Sequence, residues 1–392
     1  MKIVPKFGYL GAALLAALSV LAGGTGQLLG NCGPFTDVAA DVFCPFVLEI
    51  FYLGITTGTT ATTYDPTSNV SRLQMAAFLS RTVDGVLRRG SRRAPLGQFW
   101  TPQNETALGI TTLPTTTGPG ILRFDGADIW VPSFGGATVS RVRASDGKLL
   151  ETWTGATMAF GAVSSMGRVF VTGATSPGNL YEIDPSQPAG AVTTVASNLG
   201  NSPLGLAFDG ARFWTADSAG GSVSIVTPGA TIPWTVTSVP VATFPRGILF
   251  DGANVWVTTS PGTLLKLDPV GTILQTVTTG LGSSLPIYDG SNIWVPSLND
   301  SSITLVRASS GAILTVLTGN GMNGAQAAAF DGQRILVTNN TIGADSVSLW
   351  KAADLTPLGF FATGAGTRPF SSCSDGINFW ILFGPVHKLA RF

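Results

Sequence analysis

Charge is scarce in this sequence, and side chains suited to chemistry are scarcer. Charged residues make up 11% of 392 positions, the formal net charge is zero, and there are one histidine and three cysteines. A neutral chain has no bulk attraction for nucleic acid, and 44% hydrophobic residues exclude an intrinsically disordered polymer. The single histidine, His387, allows no histidine cluster for a metal, and no Ser-His-Asp set or phosphate-cradling glycine loop is visible. Glutamate is equally sparse beyond residue 103, where Glu105, Glu151 and Glu182 are the only examples. Long apolar runs are missing too: Leu10–Ala22 falls short of the roughly 20 residues that a membrane span needs.

That short run reads instead as the centre of a secretory signal over residues 1–26, with Lys2 and Lys6 ahead of it and small residues behind. Cleavage near Gly24 to Gly26 is expected, a retained anchor being the alternative. The mature chain is then extracytoplasmic, without a stable transmembrane segment. In an exported protein Cys32 and Cys44 are close enough in sequence to clip a short disulfide loop. Cys373 is left over, in Phe370-Ser371-Ser372-Cys373-Ser374, and reads as a buried, inert thiol.

Glycine is abundant, at 49 residues, and much of it punctuates a repeat. Gly205–Thr215 runs apolar, then Asp209-Gly210, then aromatic-rich apolar; Gly247–Val257 and Pro286–Val295 repeat it. Asp-Gly between apolar runs predicts a β-hairpin with a type I′ turn, since Gly takes positive φ at little steric cost. The turn glycines Gly126, Gly167, Gly210, Gly252, Gly290, Gly332 and Gly376 recur every 38–44 residues, with about four strand signals per unit. That period and strand content predict a mainly β chain, a seven-bladed β-propeller over residues 103–392. The last unit lacks an outer strand, and Thr106–Leu113 is the unpaired candidate to supply it against Val386–Phe392. The recurring aromatic of the second strand (Trp130, Phe170, Trp214, Trp256, Trp294 or Trp380) is expected to pack between neighbouring sheets.

Residues 32–88 have a different texture. Phe35-Thr36-Asp37-Val38 precedes an apolar helical run, then Gly54-Ile55-Thr56-Thr57-Gly58, a loop with Tyr64 and Pro66, and Ser71-Arg72-Leu73-Gln74 leading into Phe78-Leu79-Ser80-Arg81. Ser71 and Gln74 form a capping box, and Met75, Phe78, Leu79 and Val83 share one face of the helix that follows. This stretch resembles an S-layer homology module, a small α-helical unit that anchors exported proteins to envelope polysaccharide. The resemblance implies that Asp37 and Arg72 sit at the sugar-binding surface, Arg72 pairing in a forked way with carboxylate or ketal oxygens. Stabilisation of a two-helix module is the alternative role for both. The family's polymer-binding unit is usually built from three copies, and this chain has one. A basic linker over 89–102 follows, with Arg88, Arg89, Arg92 and Arg93 at its start. It reads as a solvated spacer, or else as a contact for an anionic polymer or lipid surface.

The repeats resemble bacterial extracytoplasmic propellers of the YVTN and NHL kind, and the Asp-Gly-x-x-Ile-Trp-Val grammar is similar to that of streptogramin lyase. A lyase of that type implies His and Glu near a divalent metal on one face, whereas His387 is expected in a third strand, away from the axis. The Asp-Gly turns line one face of a propeller and the more variable loops the other. On that loop face Arg246, Arg368, Asn201 and Asn323 are candidates to hold an anionic ligand or acidic glycan, with Asp217, Asn299, Asp300, Asn339 and Asn340 in the second loop class. No catalytic residue, metal or cofactor is expected. The reading is a binding or scaffolding protein partnered by envelope polysaccharide, with another protein on the loop face as a further candidate partner; a lyase or lactonase acting on a small extracytoplasmic substrate is the alternative.

Overall fold

The computed structural model describes residues 34–38, 41, 43–52, 55–79, 82, 109–114, 118 and 120–392. The expected signal over 1–26, Cys32 and the basic linker over 89–102 lie outside the described residues. Two compact units divide between Arg92 and Arg93.

The first unit is built on the Phe-x-Asp-Val stretch. Phe35 and Val38 are buried against Val47 of helix α1 (Cys44–Tyr52), and the Phe35 ring meets Phe51 edge-on at 5.1 Å and Tyr64 at 5.7 Å. Cys44 is disulfide-bonded. Residues 72–79 are helical, and their start carries the expected reciprocal cap: Ser71 N donates to Gln74 Oε1 at 2.8 Å, and Gln74 N to Ser71 Oγ at 3.2 Å. The apolar residues of this helix are not buried, since Leu73 is 84% exposed, Leu79 60% and Met75 47%.

The second unit consists of seven four-stranded antiparallel sheets arranged in sequence order. A representative blade runs through β10 (Pro203–Phe208), β11 (Phe213–Asp217), β12 (Ser222–Thr227) and β13 (Thr235–Pro240). The seventh blade is composite. Its strands β26 (Pro369–Ser374), β27 (Phe379–Phe383) and β28 (Lys388–Arg391) are completed by β1 (Gly109–Thr112), with Gly109 opposite Arg391 and Thr112 opposite Lys388. Pairing the two ends of the unit covers the edge that β28 would otherwise expose and makes β1 the outer strand of the blade.

The aromatics of the second strands lie between blades. Trp214 packs with Val255, Val257 and Leu265 of the next blade, Trp256 with Ile293 and Val295, and Trp380 with Ile129 and Val131 across the closure. All five tryptophans at this position are fully buried. Burying an indole while leaving its N–H unpaired would be costly, and the Asp-Gly turn prevents this.

The turn is not the type I′ turn expected. Phe208 pairs with Phe213, which leaves a four-residue loop in which Gly210 has φ +96° and Asp209 stays at negative φ. Asp209 Oδ1 accepts the amides of Ala211 and Arg212 at 2.8 and 2.6 Å, and Oδ2 accepts Trp214 Nε1 at 2.8 Å. The side chain therefore shapes the loop, an aspartate turn in which the carboxylate stands in for a backbone carbonyl. The same triple contact recurs at Asp125, Asp251, Asp289 and Asp375. The two-residue geometry appears in the second blade, where Asp is replaced by Met166. There Ser165 pairs with Arg168, and Met166 and Gly167 take φ +52° and +70°. That blade carries Phe170 where five others carry Trp, so the carboxylate and the N–H it would serve are missing together; the sixth keeps Asp331 but carries Leu336, and there the carboxylate takes Arg334 Nε at 2.7 Å instead.

Candidate functional site

In the first unit, Asp37 and Arg72 play different parts. The Asp37 carboxylate accepts the amides of Tyr64 and Asp65, at 2.9 and 2.7 Å, and so fastens the Tyr64 loop onto the Phe-x-Asp-Val stretch. These bonds hold its pKa below the usual carboxylate range. Arg72 is exposed at the first turn of its helix, and among the described residues no hydrogen bond or ion pair engages it. Of the two expected contact residues, Asp37 is occupied in building the module, and Arg72 has its fork of donors open to solvent.

On the loop face of the propeller, Arg368 joins two cavities. One, of about 570 Å3, is lined by Asn299, Asn323, Asn340 and Arg368; the other, of about 470 Å3, by Asn340, Arg368, Phe370, Pro385 and His387. Arg368 is positioned from its backbone, where φ is +39° and Asp345 Oδ1 accepts its amide at 2.9 Å. Asp345 Oδ2 takes Gly366 N at 2.7 Å, so one carboxylate pins both ends of the short loop. The Asn340 side-chain amide donates to the carbonyls of Arg368 and Pro369 at 3.4 and 3.0 Å, and Arg368 Nη2 donates to Asn340 O at 3.4 Å. Arg368 Nε is buried without a partner. A guanidinium so held lines both cavities as a fixed positive charge.

The other candidates separate. Asn323 joins Arg368 in the larger cavity, and its amide donates to Asn339 Oδ1 at 3.2 Å. Arg246, on β14 (Pro245–Phe250), is half-buried and lines neither loop-face cavity; burial lowers its pKa from the usual arginine value. Asn201 is exposed and also lines neither, its carbonyl accepting Ala219 N at 3.1 Å.

Asp217 and Asn339 are strand ends rather than solvated loop residues, and both are fully buried. Asp217 accepts the hydroxyls of Thr215, Ser222 and Ser224 at 2.7, 3.0 and 2.7 Å. Asn339, at the equivalent position of the sixth blade, donates to Ser346 and Ser348 at 3.0 and 3.1 Å. Burial pushes the Asp217 carboxyl up to about 6 even against those hydroxyls. Asp300 also acts structurally, accepting Leu281 N at 2.7 Å.

His387 departs from expectation in the other direction. It lies in the turn between β27 and β28, not in the third strand, and lines the Arg368 cavity. Gly384-Pro385 just ahead of it is a turn signal that marks this position in the sequence. Cys373 is a free, half-buried thiol whose pKa is raised by burial despite the nearby Arg123, which leaves it a poor nucleophile. Among the described residues, no group of three or more His, Cys, Asp or Glu is placed to hold a metal ion, and no helix is long and apolar enough to cross a membrane.

Residues 34–76 match the S-layer homology domain. No curated protein matches the sequence. Among solved structures, a chain of the mitotic checkpoint complex superposes with a TM-score of 0.61 at 13% identity, covering 74% of this chain and 96% of that one. The hydrazine synthase of Kuenenia stuttgartiensis gives 0.59 at 15%, covering 72% and 98%. A streptogramin B lyase gives 0.57 at 15%, covering 72% and 96%. Identities this low carry the fold alone. The chain thus carries an S-layer homology domain, which implies association with a bacterial cell surface, and a seven-bladed β-propeller similar in fold to streptogramin B lyase.

Proposed function

We propose that this protein is an exported cell-surface binding module, held to envelope polysaccharide by its S-layer homology domain and displaying the propeller's loop face to a ligand or protein partner. The observation that carries the anchoring role is the domain match over 34–76 together with an Arg72 that no hydrogen bond or ion pair engages among the described residues. A free guanidinium fork suits the carboxylate and ketal oxygens of an acidic wall polymer. Export through a signal over 1–26, a Cys32–Cys44 clip and a basic spacer over 89–102 belong to the same proposal. On the propeller, support for a binding role comes from Arg368, which lines two adjoining cavities and has a buried Nε without a partner.

Retention of the full chain on purified envelope polysaccharide, compared with Arg72→Ala, tests the anchoring. The wild type is retained and the variant washes off at lower salt. Equal retention of the two removes Arg72, and no retention of either removes the polysaccharide.

A further inference from the structure

A third cavity lies on the propeller axis, away from both loop-face cavities. The inner strands of all seven blades enclose about 560 Å3, and Arg123 is the one charged side chain in the wall. Nothing in the repeat asks for a charge there. The position that pairs with the second-strand aromatic or Leu336 is Val163, Ala207, Leu249, Ile287, Ala329 or Cys373 in the other blades, and none of these carries a charge.

Arg123 makes no hydrogen bond or ion pair among the described residues. Its side chain is exposed by area within the cavity, while burial among the surrounding blades holds its pKa below the usual arginine value. The titratable group beside it is the Cys373 thiol, which burial keeps uncharged, and among the described residues no carboxylate neutralises Arg123. A desolvated guanidinium without a counter-ion costs stability, whereas the same group paired with an incoming anion gains charge-assisted, forked hydrogen bonds.

A second observation points to the same place. Ser372 lines the cavity one residue before Cys373, is 8% exposed, and its Oγ has no hydrogen-bond partner. The residues that immediately precede the Asp-Gly turns add an apolar component: Phe124, Phe208, Phe250, Tyr288 and Phe330 all line the cavity. An unpaired cation, an orphan hydroxyl and a ring of five aromatics around one enclosed volume describe a ligand with an anionic head and an apolar body.

We propose that the axial cavity binds a small organic carboxylate, its head taken by Arg123 and Ser372 and its body by the aromatic ring at the Asp-Gly end. The site is independent of the polysaccharide anchor and of the Arg368 cavities.

Calorimetric titration of the full chain with benzoate, with benzyl alcohol as its neutral counterpart and with inorganic phosphate, tests this. Wild type binds benzoate saturably and benzyl alcohol at least tenfold more weakly. Arg123→Leu loses benzoate affinity by roughly 10- to 100-fold, the range expected for a charge-assisted contact. Arg307→Gln, at an exposed position outside the cavity, leaves it unchanged. The unliganded Arg123→Leu protein melts higher than wild type, because a leucine of the Leu249 kind replaces an unpaired cation, so lost binding with a raised melting point is not misfolding. Should that variant fail to melt cooperatively, Ser372→Ala decides, with a severalfold loss supporting the site and unchanged affinity overturning it. Equal benzoate binding by wild type and Arg123→Leu, no benzoate binding at all, or binding of phosphate alone overturns the proposal.

Discussion

The indole N–H of Trp214 donates to the carboxylate of Asp209 across the hairpin, at 2.8 Å. This contact ties the turn on one propeller face to the apolar seam between the third and fourth blades, where Trp214 is fully buried. Asp209 is the partner that a buried tryptophan needs, and Trp214 makes an aspartate worth keeping in a tight loop.

Asp209→Ala strips the indole N–H and the amides of Ala211 and Arg212 of their acceptor. A loss of about 2–3 kcal/mol is expected in urea unfolding, the range for hydrogen bonds to a charged group. Asp209→Ala costs less in a Trp214→Phe background than it does in the wild type, because the second blade already combines Met166 with Phe170. Strict additivity in that cycle would disconnect the pair.

Asp217 gives the protein a pH dependence opposite to that of most carboxylates. Burial raises its folded pKa to about 6 from the ordinary 3.8, so the folded state holds the proton more tightly and the associated stability is fully present below pH 3.8. It is lost as pH rises through about 6. A shift of this size corresponds to about 3 kcal/mol. Asp217→Asn, which copies Asn339 of the sixth blade, is therefore more stable than wild type at pH 8 and close to it at pH 4. A constant difference across that range would place the titration elsewhere.

Asp37→Ala and Arg72→Ala separate structure from binding within the S-layer homology domain. The first frees the amides of Tyr64 and Asp65 and opens that loop to limited proteolysis. The second leaves the digestion pattern unchanged and weakens polysaccharide retention. Identical effects in both assays would make Arg72 another structural residue.

On the loop face, Arg368→Ala and Arg246→Ala should part company. Arg368 lines both cavities and Arg246 neither. With a digalacturonate probe in a fluorescence-competition titration, Arg368→Ala loses affinity roughly tenfold or more, as expected for a charged hydrogen bond, and Arg246→Ala does not. The reverse order would move the anion site toward the axis.

Much of this architecture is written locally. A glycine at positive φ every 38–44 residues marks each turn whatever the chain around it does, so the blade number and the missing outer strand follow from the sequence. The Ser71–Gln74 cap is local as well, its two partners lying three residues apart. The Phe-x-Asp-Val stretch marks the S-layer homology domain by its order of residue types, but the use of Asp37 as a brace depends on a loop 27 residues further on.

What tertiary structure decided is which polar groups are left without partners. Asp217 and Asn339 read as loop residues because their neighbours are small and polar, yet those same serines and threonines close over them at strand ends. Arg246 and Arg368 look alike in sequence, and only the loop pinned by Asp345 turns one of them into two cavities. Arg123 gave no signal at all, since a lone arginine before Phe-Asp-Gly reads as an ordinary strand residue. It becomes notable when seven inner strands converge on one axis and leave its charge alone in an uncharged wall. A linear pattern specifies bonds between near neighbours, whereas desolvation is a property of everything that surrounds a group, and the closed ring supplies it.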